Sequence, residues 1–275
     1  KLWGLKLIGV VKDFNFKSLH QPIGPLFITY LRSMPEINIR VSGMNQREVI
    51  AKIEKISAVE AIDDIAQVSD GLMVARGDLG VEASVEKVPS FQKMIIAAAA
   101  RQAKPVIIAT QMLESMVSNP RPTRAEASDV ANAIYDGTSA VMLSAETASG
   151  QYPIKAVQFM SRVARKTEAS MFGDWVYRRG RRGDDLPEVS EATVKAAAYA
   201  ATEVDAKLIA VFTESGATAR LLAAERTPSR IVAFSPFQRS VQRLSLVWGV
   251  TAFKVGKART AKEMTMEGER ILLEE

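Results

Sequence analysis

From residue 70 onward the chain alternates short apolar runs with longer amphipathic stretches, and no other feature constrains its fold as tightly. SDGLMVARGDLG is an apolar run closed by glycines and charges, followed by a helical stretch around VPSFQKMIIAAAARQA. KPVIIATQ is a second run. TRAEASDVANAIYDG is a helix whose Thr123 and Glu126 fit a capping box and whose stop is Gly137. SAVMLSAET is a third run, and YPIKAVQFMSRVARKTE a third amphipathic helix. Strands this short and this continuously apolar are buried on both faces, as parallel strands covered by helices are. The alternation resumes as VSEATVKAAAYAATEV, KLIAVFT, ATARLLAAER, RIVAFSP, QRSVQRLSLVW and VTAFKV. The expected fold class is α/β.

In such folds ligands sit at the carboxyl ends of the strands. The residues there are Arg76, Gly77 and Asp78; Thr110 and Gln111; Ser144 and Glu146. Taken singly, each has a plainer explanation: Asp78 as a helix cap, Thr110 as a local hydrogen-bonding group, Glu146 as a surface carboxylate. An earlier stretch, VIAKIEK at residues 49 to 55, decides whether they form a chemical set. As a helix it presents Val49, Ile53 and Ile56 as an apolar stripe; as a strand it puts Lys52 and Glu54 on one face. Asn45 and Glu48 would cap the helix, whereas Ser57 and Glu60 would start a helix after the strand. On the strand reading Glu54 and Asp78 offer two carboxylates with no soft ligand nearby, which suits magnesium completed by substrate oxygens. Lys52 at the same mouth can neutralise a transferring phosphoryl group. The Gly77 amide can approach an anion closely.

Composition narrows the alternatives. With 275 residues, 47% hydrophobic and 24% charged, the chain has ample material for a core. Zero cysteines exclude disulfides and thiolate chemistry, and the single histidine, His20, argues against a histidine triad or a multi-histidine metal site. A net charge of +5 hints at an anionic partner, but the basic residues are dispersed. The one dense cluster, Arg178, Arg179, Arg181 and Arg182, is followed at once by acidic residues and reads as a solvated linker. Neither a nucleic-acid partner nor a membrane span is expected.

IAKIEK, SDGLMVARGDLGVE, KPVIIATQMLESM, NPRPTRAEASDVANAIYDGTSAVMLSAETASGQYP and TESGATARLLAAERTPSRIVAFSP resemble pyruvate kinase in order and spacing, over roughly residues 50 to 273. The resemblance implies phosphoryl transfer from phosphoenolpyruvate to ADP, giving pyruvate and ATP, in cytoplasmic glycolysis. It implies a partial TIM barrel of about four βα units, then a truncated three-layer α/β regulatory domain. By motif, Lys52 matches the lysine that stabilises the transferring phosphoryl group, and Glu54 and Asp78 match the ligands of magnesium or manganese. The backbone at Arg76, Gly77 and Asp78 would hold the substrate carboxylate. Thr110 matches the threonine at the face where the enolate is protonated, with Ser144 and Glu146 in the adjoining polar network. Potassium, a homo-oligomer and a sugar-phosphate effector are implied as well. Thr213, Ser215, Gly216 and Thr218 match the effector's phosphate loop, although Glu214 would repel a phosphate and a structural turn is an equal reading.

Residues 1 to 48 read differently. LIGVVKDFNFKSLHQPIGPLFITYL and EINIRVSG resemble the β-rich extracytoplasmic core of macrolide-exporter-type ABC-transporter permeases. The expected organisation is a permease-like segment at 1–48, a half barrel at 49–169, a linker at 170–188 and an α/β domain at 189–275. The chain begins without methionine and ends on ERILLEE, within an amphipathic pattern. It therefore reads as a fragment, a chimera with its seam near IAKIEK, in which activity is impaired or absent. Two alternatives stand beside the kinase: a non-catalytic chimeric fragment, and a magnesium-dependent aldolase or lyase acting on a pyruvate-like acid.

Overall fold

The computed structural model describes residues 26–27, 49–174, 189–257 and 260–274. It divides into two compact units with the boundary at Asp174. In the first, five parallel strands lie in chain order: β1 (Leu26–Phe27), β2 (Val49–Ile53), β3 (Gly71–Ala75), β4 (Val106–Ala109) and β5 (Ala140–Val141). All four residues of β4 are buried, as are all of β3 except Met73. Such strands have no polar face to show to water. The helices are α1 (Ile56–Glu60), α2 (Ile62–Val68), α3 (Arg76–Glu82), α4 (Val88–Arg101), α5 (Arg124–Tyr135), α6 (Ala145–Ala148) and α7 (Pro153–Asp174). Helix α4 buries Val88, Gln92, Ile95, Ile96 and Ala99, a stripe at helical spacing.

VIAKI is a strand. The choice is made by long-range pairing, with Ile50 to Ile53 matched to Gly71 to Val74 on one side and Val49 and Ile50 to Leu26 and Phe27 on the other. The expected start at Ser57 is shifted: α1 begins at Ile56 with Lys55 at its N-cap and no side-chain cap. The Thr123 box forms as expected, with Thr123 Oγ1 accepting from the Glu126 amide at 3.2 Å and Glu126 Oε2 accepting from the Thr123 amide at 2.7 Å. Gly137 follows α5 with φ +100°, a conformation that favours glycine. Strand β1 adds a fifth member to the four strands expected. Helix α7 runs to Asp174, five residues past the expected end of the half barrel. The permease-like reading of 1–48 lies outside the described residues apart from Leu26 and Phe27, as does the arginine cluster.

The second unit holds α8 (Val189–Glu203), β6 (Leu208–Phe212), α9 (Ala217–Ala224), β7 (Arg230–Ser235), α10 (Gln238–Leu244), β8 (Val250–Lys254) and α11 (Ala261–Glu274). Its three strands are parallel in the order β6-β7-β8. Central β7 is buried from Ile231 to Ser235, while edge strand β6 leaves Leu208 exposed. Phe212, Phe234 and Phe253 stand in register across the sheet, with ring centroids 5.1 and 6.1 Å apart. Gly268 of α11 lies against this ladder; a Cβ there would be 3.0 Å from Phe212 Cζ. Among the described residues no helix is long and apolar enough to cross a membrane.

Gly71 sets how closely β3 approaches its surroundings, because a Cβ there would lie 2.8 Å from Ile50 Cδ1 and 3.0 Å from the Pro105 carbonyl oxygen. The Leu72 amide donates to that same oxygen at 2.9 Å, so the backbone has little room to retreat. Gly71→Ala should therefore destabilise the first unit by about 1–3 kcal/mol, the usual cost of overpacking. Urea unfolding followed by circular dichroism checks this, and an unchanged midpoint would contradict the close-packing account.

Candidate functional site

Because β2 to β5 are parallel, their carboxyl ends share one edge of the sheet, and the strand-end residues gather there. Lys52 is the fourth residue of β2 and Glu54 follows its last. Two residues apart on a strand, their side chains point the same way. Helix α3 begins at Arg76, directly after β3, which puts Asp78 in its first turn. The Lys52 ammonium meets both carboxylates, at 2.5 Å from Glu54 Oε2 and 2.7 Å from Asp78 Oδ2. Side-chain exposures of 32% for Lys52 and 54% for Asp78 leave the cluster open to a ligand. Burial pulls the Lys52 ammonium down, but hydrogen bonds and charge from Asp78 and Glu54 outweigh it and hold its pKa above the ordinary lysine value. The stability contributed by these pairs is complete below the ordinary lysine pKa and is lost as pH rises through the higher folded value.

Two carboxylate oxygens converging on one nitrogen also fit a hard divalent cation. Among the described residues no group of three or more His, Cys, Asp and Glu side chains could hold a metal ion. A cation here would therefore take two carboxylates and complete its shell with substrate and water oxygens, as magnesium commonly does.

The β4 end is built around backbone strain. Thr110 and Gln111 have φ of +70° and +54°. For a β-branched residue this is an outlier, and each such residue costs about 1–3 kcal/mol. Arg76 holds the pair in place. Its Nη2 donates to the Thr110 carbonyl at 2.7 Å, to the Gln111 carbonyl at 3.1 Å and to Met112 Sδ at 2.9 Å. Its Nη1 donates to both oxygens of Asp129 on α5, at 2.8 and 2.7 Å. With only 10% of its side chain exposed, the Arg76 guanidinium is committed to the fold, and any ligand contact at this position falls to the backbone.

The Gly77 amide is engaged too, donating to Thr110 Oγ1 at 2.8 Å. The Thr110 hydroxyl accepts that bond with its oxygen, so its own hydrogen is not used by it. Ser144 and Glu146 form a separate connection. Glu146 is fully buried and accepts from the Leu113 amide at 3.0 Å and the Ser144 amide at 2.7 Å. Both carboxylate oxygens thus tie the segment after β4 to the turn after β5, a structural use that the expected polar network did not include.

Asp129 carries no role of its own in the sequence motifs, and Glu126 reads there only as a cap. Glu126 also accepts from the Ser115 amide at 2.7 Å and the Ser115 hydroxyl at 2.5 Å, so it fastens the segment after β4 to α5. The signal for Asp129 was its spacing, one helical turn after Glu126.

In the second unit, Thr213, Ser215, Gly216 and Thr218 occupy the turn from β6 into α9. Thr213 Oγ1 accepts from the Gly216 amide at 3.0 Å and Ser215 Oγ from the Ala217 amide at 3.3 Å. Gly216 has φ +82° and Thr218 is exposed. The Glu214 carbonyl accepts from the Ser235 and Ser240 hydroxyls. Two of the loop's own hydroxyls and two of its amides therefore close the turn. Beside it lies a cleft of about 210 Å³ whose lining includes Phe212, Thr213, Glu214, Lys257 and Glu267.

Comparison with known proteins gives the family. The family described as "Pyruvate kinase, barrel domain" matches residues 11–157, and "Pyruvate kinase, alpha/beta domain" matches residues 191–275. The chain is 49% identical to a pyruvate kinase of Sporosarcina psychrophila, over 95% of this chain and 44% of that protein. It is 48% identical to one from Agrobacterium vitis, over 82% of this chain and 47% of the relative. The crystal structure of a pyruvate kinase from Cryptosporidium parvum superposes with a TM-score of 0.79 at 39% identity, covering 82% of this chain and 46% of that one. The chain spans about half the length of the curated relatives it matches. The barrel match reaches back to residue 11, into the stretch that sequence reading set apart as permease-like.

Two substitutions test the strained turn. Gln111→Gly should stabilise the chain by about 1 kcal/mol by removing left-handed strain, and Arg76→Met should destabilise it by about 2–3 kcal/mol by leaving Asp129 and two carbonyls without their donor. Both are read from denaturant midpoints. Burial pushes the Glu126 carboxyl up, but the Ser115 and Thr123 donors outweigh that and hold it below its ordinary value of 4.5. Its contribution is therefore present above that value and lost as pH falls through the lower folded pKa. The stability advantage of the native chain over Glu126→Gln should shrink over that window, and a pH-independent difference would contradict the assignment.

Proposed function

Because this chain belongs to the pyruvate kinase family, we propose that it supplies one wall of a site that moves the phosphoryl group of phosphoenolpyruvate to ADP, giving pyruvate and ATP. The observation that carries this reading is the meeting of Lys52, Glu54 and Asp78 at the ends of two adjacent parallel strands. In the reaction the enol phosphate P–O bond breaks and a P–O bond to the ADP β-phosphate oxygen forms. The Lys52 ammonium faces the transferring group and offsets its charge, so that positioning and electrostatics supply most of the rate. Glu54 and Asp78 would hold magnesium or manganese, which would supply positive charge to offset that of the substrate oxygens. The backbone from Arg76 to Asp78 would border the substrate carboxylate, with the Gly77 amide shared between it and Thr110 Oγ1. The Thr110 hydroxyl, held in place by the Gly77 amide, stands on the face where the enolate carbon takes its proton, through a water.

Potassium, a homo-oligomeric state, a cytoplasmic location and glycolytic use follow from the same family reading. A sugar phosphate at the Thr213–Thr218 turn is part of the proposal, supported by the cleft beside that turn and opposed by the Glu214 carboxylate. Glu146 acts here by fixing the β5 turn through the Ser144 amide, and Ser144 keeps its place in the adjoining polar network. A permease-like origin for residues 1–48, with a seam near residue 49, is not needed: the barrel family covers 11–48, and Leu26–Phe27 pairs in parallel with β2. The family match likewise favours the kinase over a lyase or an inert chimera.

A coupled assay with phosphoenolpyruvate, ADP, magnesium and potassium tests the reading. The 275 residues alone, with five strands described in the first sheet, should turn over little or no substrate. In a protein that carries this sequence within a closed barrel, Lys52→Ala should lower kcat by about a hundredfold or more. Turnover that survives this substitution would contradict the assignment, and pyruvate release from 4-hydroxy-2-oxoacids without ADP would favour the lyase.

A further inference from the structure

The Lys52 ammonium stands where a cation bound by Glu54 and Asp78 would have to be. It touches Glu54 Oε2 and Asp78 Oδ2 at once. An ammonium is a compact, strongly hydrated point charge with three donors, and two carboxylate oxygens satisfy two of them. Arg76 gives these carboxylates no help, because its guanidinium is turned to Asp129 and the Thr110 and Gln111 carbonyls. Among the described residues Lys52 is the cation that pairs with both.

We propose that Lys52 and a divalent cation compete for the Glu54–Asp78 pair, so that metal entry drives the lysine head off the carboxylates and toward the mouth of the site. This competition presupposes the metal site proposed above. Two positive charges cannot share these oxygens at contact distance without strong repulsion. The lysine can yield without disturbing the fold: its backbone is fixed inside β2, paired with Met73, while its four-carbon stem is flexible and its side chain partly exposed. Without metal the ammonium neutralises one carboxylate charge and holds two like-charged groups together. With metal bound, the same ammonium becomes free to meet an incoming phosphate. One residue thereby links occupancy of the metal site to readiness for the phosphoryl group, and the order of events is metal first, lysine second.

The 275-residue chain is suited to the test, since the readout is binding rather than turnover. Manganese(II) titrations followed by electron paramagnetic resonance would compare the native chain with Lys52→Met, Glu54→Gln and Asp78→Asn, with circular dichroism as a check on folding. Lys52→Met should bind manganese about three- to tenfold more tightly, the scale expected when one or two partly exposed ion pairs cease to compete. In ¹⁵N-lysine spectra of the native chain, the ion-paired Lys52 NH₃⁺ signal should be displaced as magnesium saturates. Native binding with equal or weaker binding by Lys52→Met, or a Lys52 signal unmoved at saturation, would overturn the competition while leaving the metal site standing. If manganese binds neither chain, or binds Glu54→Gln and Asp78→Asn as tightly as the native chain, the metal site itself fails and the competition falls with it. Should Lys52→Met not fold, the magnesium-dependent displacement in the native chain decides alone.

Discussion

Parallel pairing of β2 with β3, in the register Lys52↔Met73, is the constraint on which the site depends. It sends both strands to the same edge, so that Lys52 and Glu54 at the end of one meet Asp78 just past the end of the other. A slip of one residue would turn Lys52 to the opposite face of the sheet and separate the cation from both carboxylates. The register is protected by what surrounds it. Ile53, Leu72 and Val74 are almost wholly buried, and a slip would expose them. Core packing and site chemistry are thus two consequences of a single alignment.

The next strand end adds a different device. Thr110 and Gln111 adopt left-handed backbone that neither residue favours, and Arg76, itself fixed by Asp129, offsets that strain with hydrogen bonds to both carbonyls. The strained turn brings Thr110 Oγ1 within 2.8 Å of the Gly77 amide, next to Asp78. Glu126 and Glu146 brace the segment that follows through its backbone amides. Of the acidic residues gathered near these strand ends, Glu54 and Asp78 face the Lys52 ammonium, whereas Asp129, Glu126 and Glu146 hold the scaffold that positions them.

Much of this was legible in the sequence, for reasons that differ by residue. Continuous apolar runs such as VIIA and GLMVA mark buried parallel strands by local composition alone, and the capping box at Thr123 is a local signal. VIAKIEK was ambiguous because its apolar residues satisfy both periodicities; only pairing with strands distant in sequence selects one. The roles of Arg76 and Glu146 were hidden for a related reason. Their motif positions identified them, but whether a side chain faces a ligand or the fold depends on Thr110, Asp129, Leu113 and Ser144, partners brought near by folding. The reach of α7 to Asp174 shows how an amphipathic pattern marks a helix better than it marks its end.

In the proposal above, Glu54 and Asp78 form a cation site with Lys52 as its movable counter-charge. Crystals of the chain soaked in manganese, with data collected at the manganese absorption edge, test it most directly. An anomalous peak is expected about 2.1 Å from one oxygen of Glu54 and one of Asp78, with the Lys52 ammonium no longer in contact with either. A manganese peak elsewhere, with Lys52 still bridging both carboxylates, would contradict it.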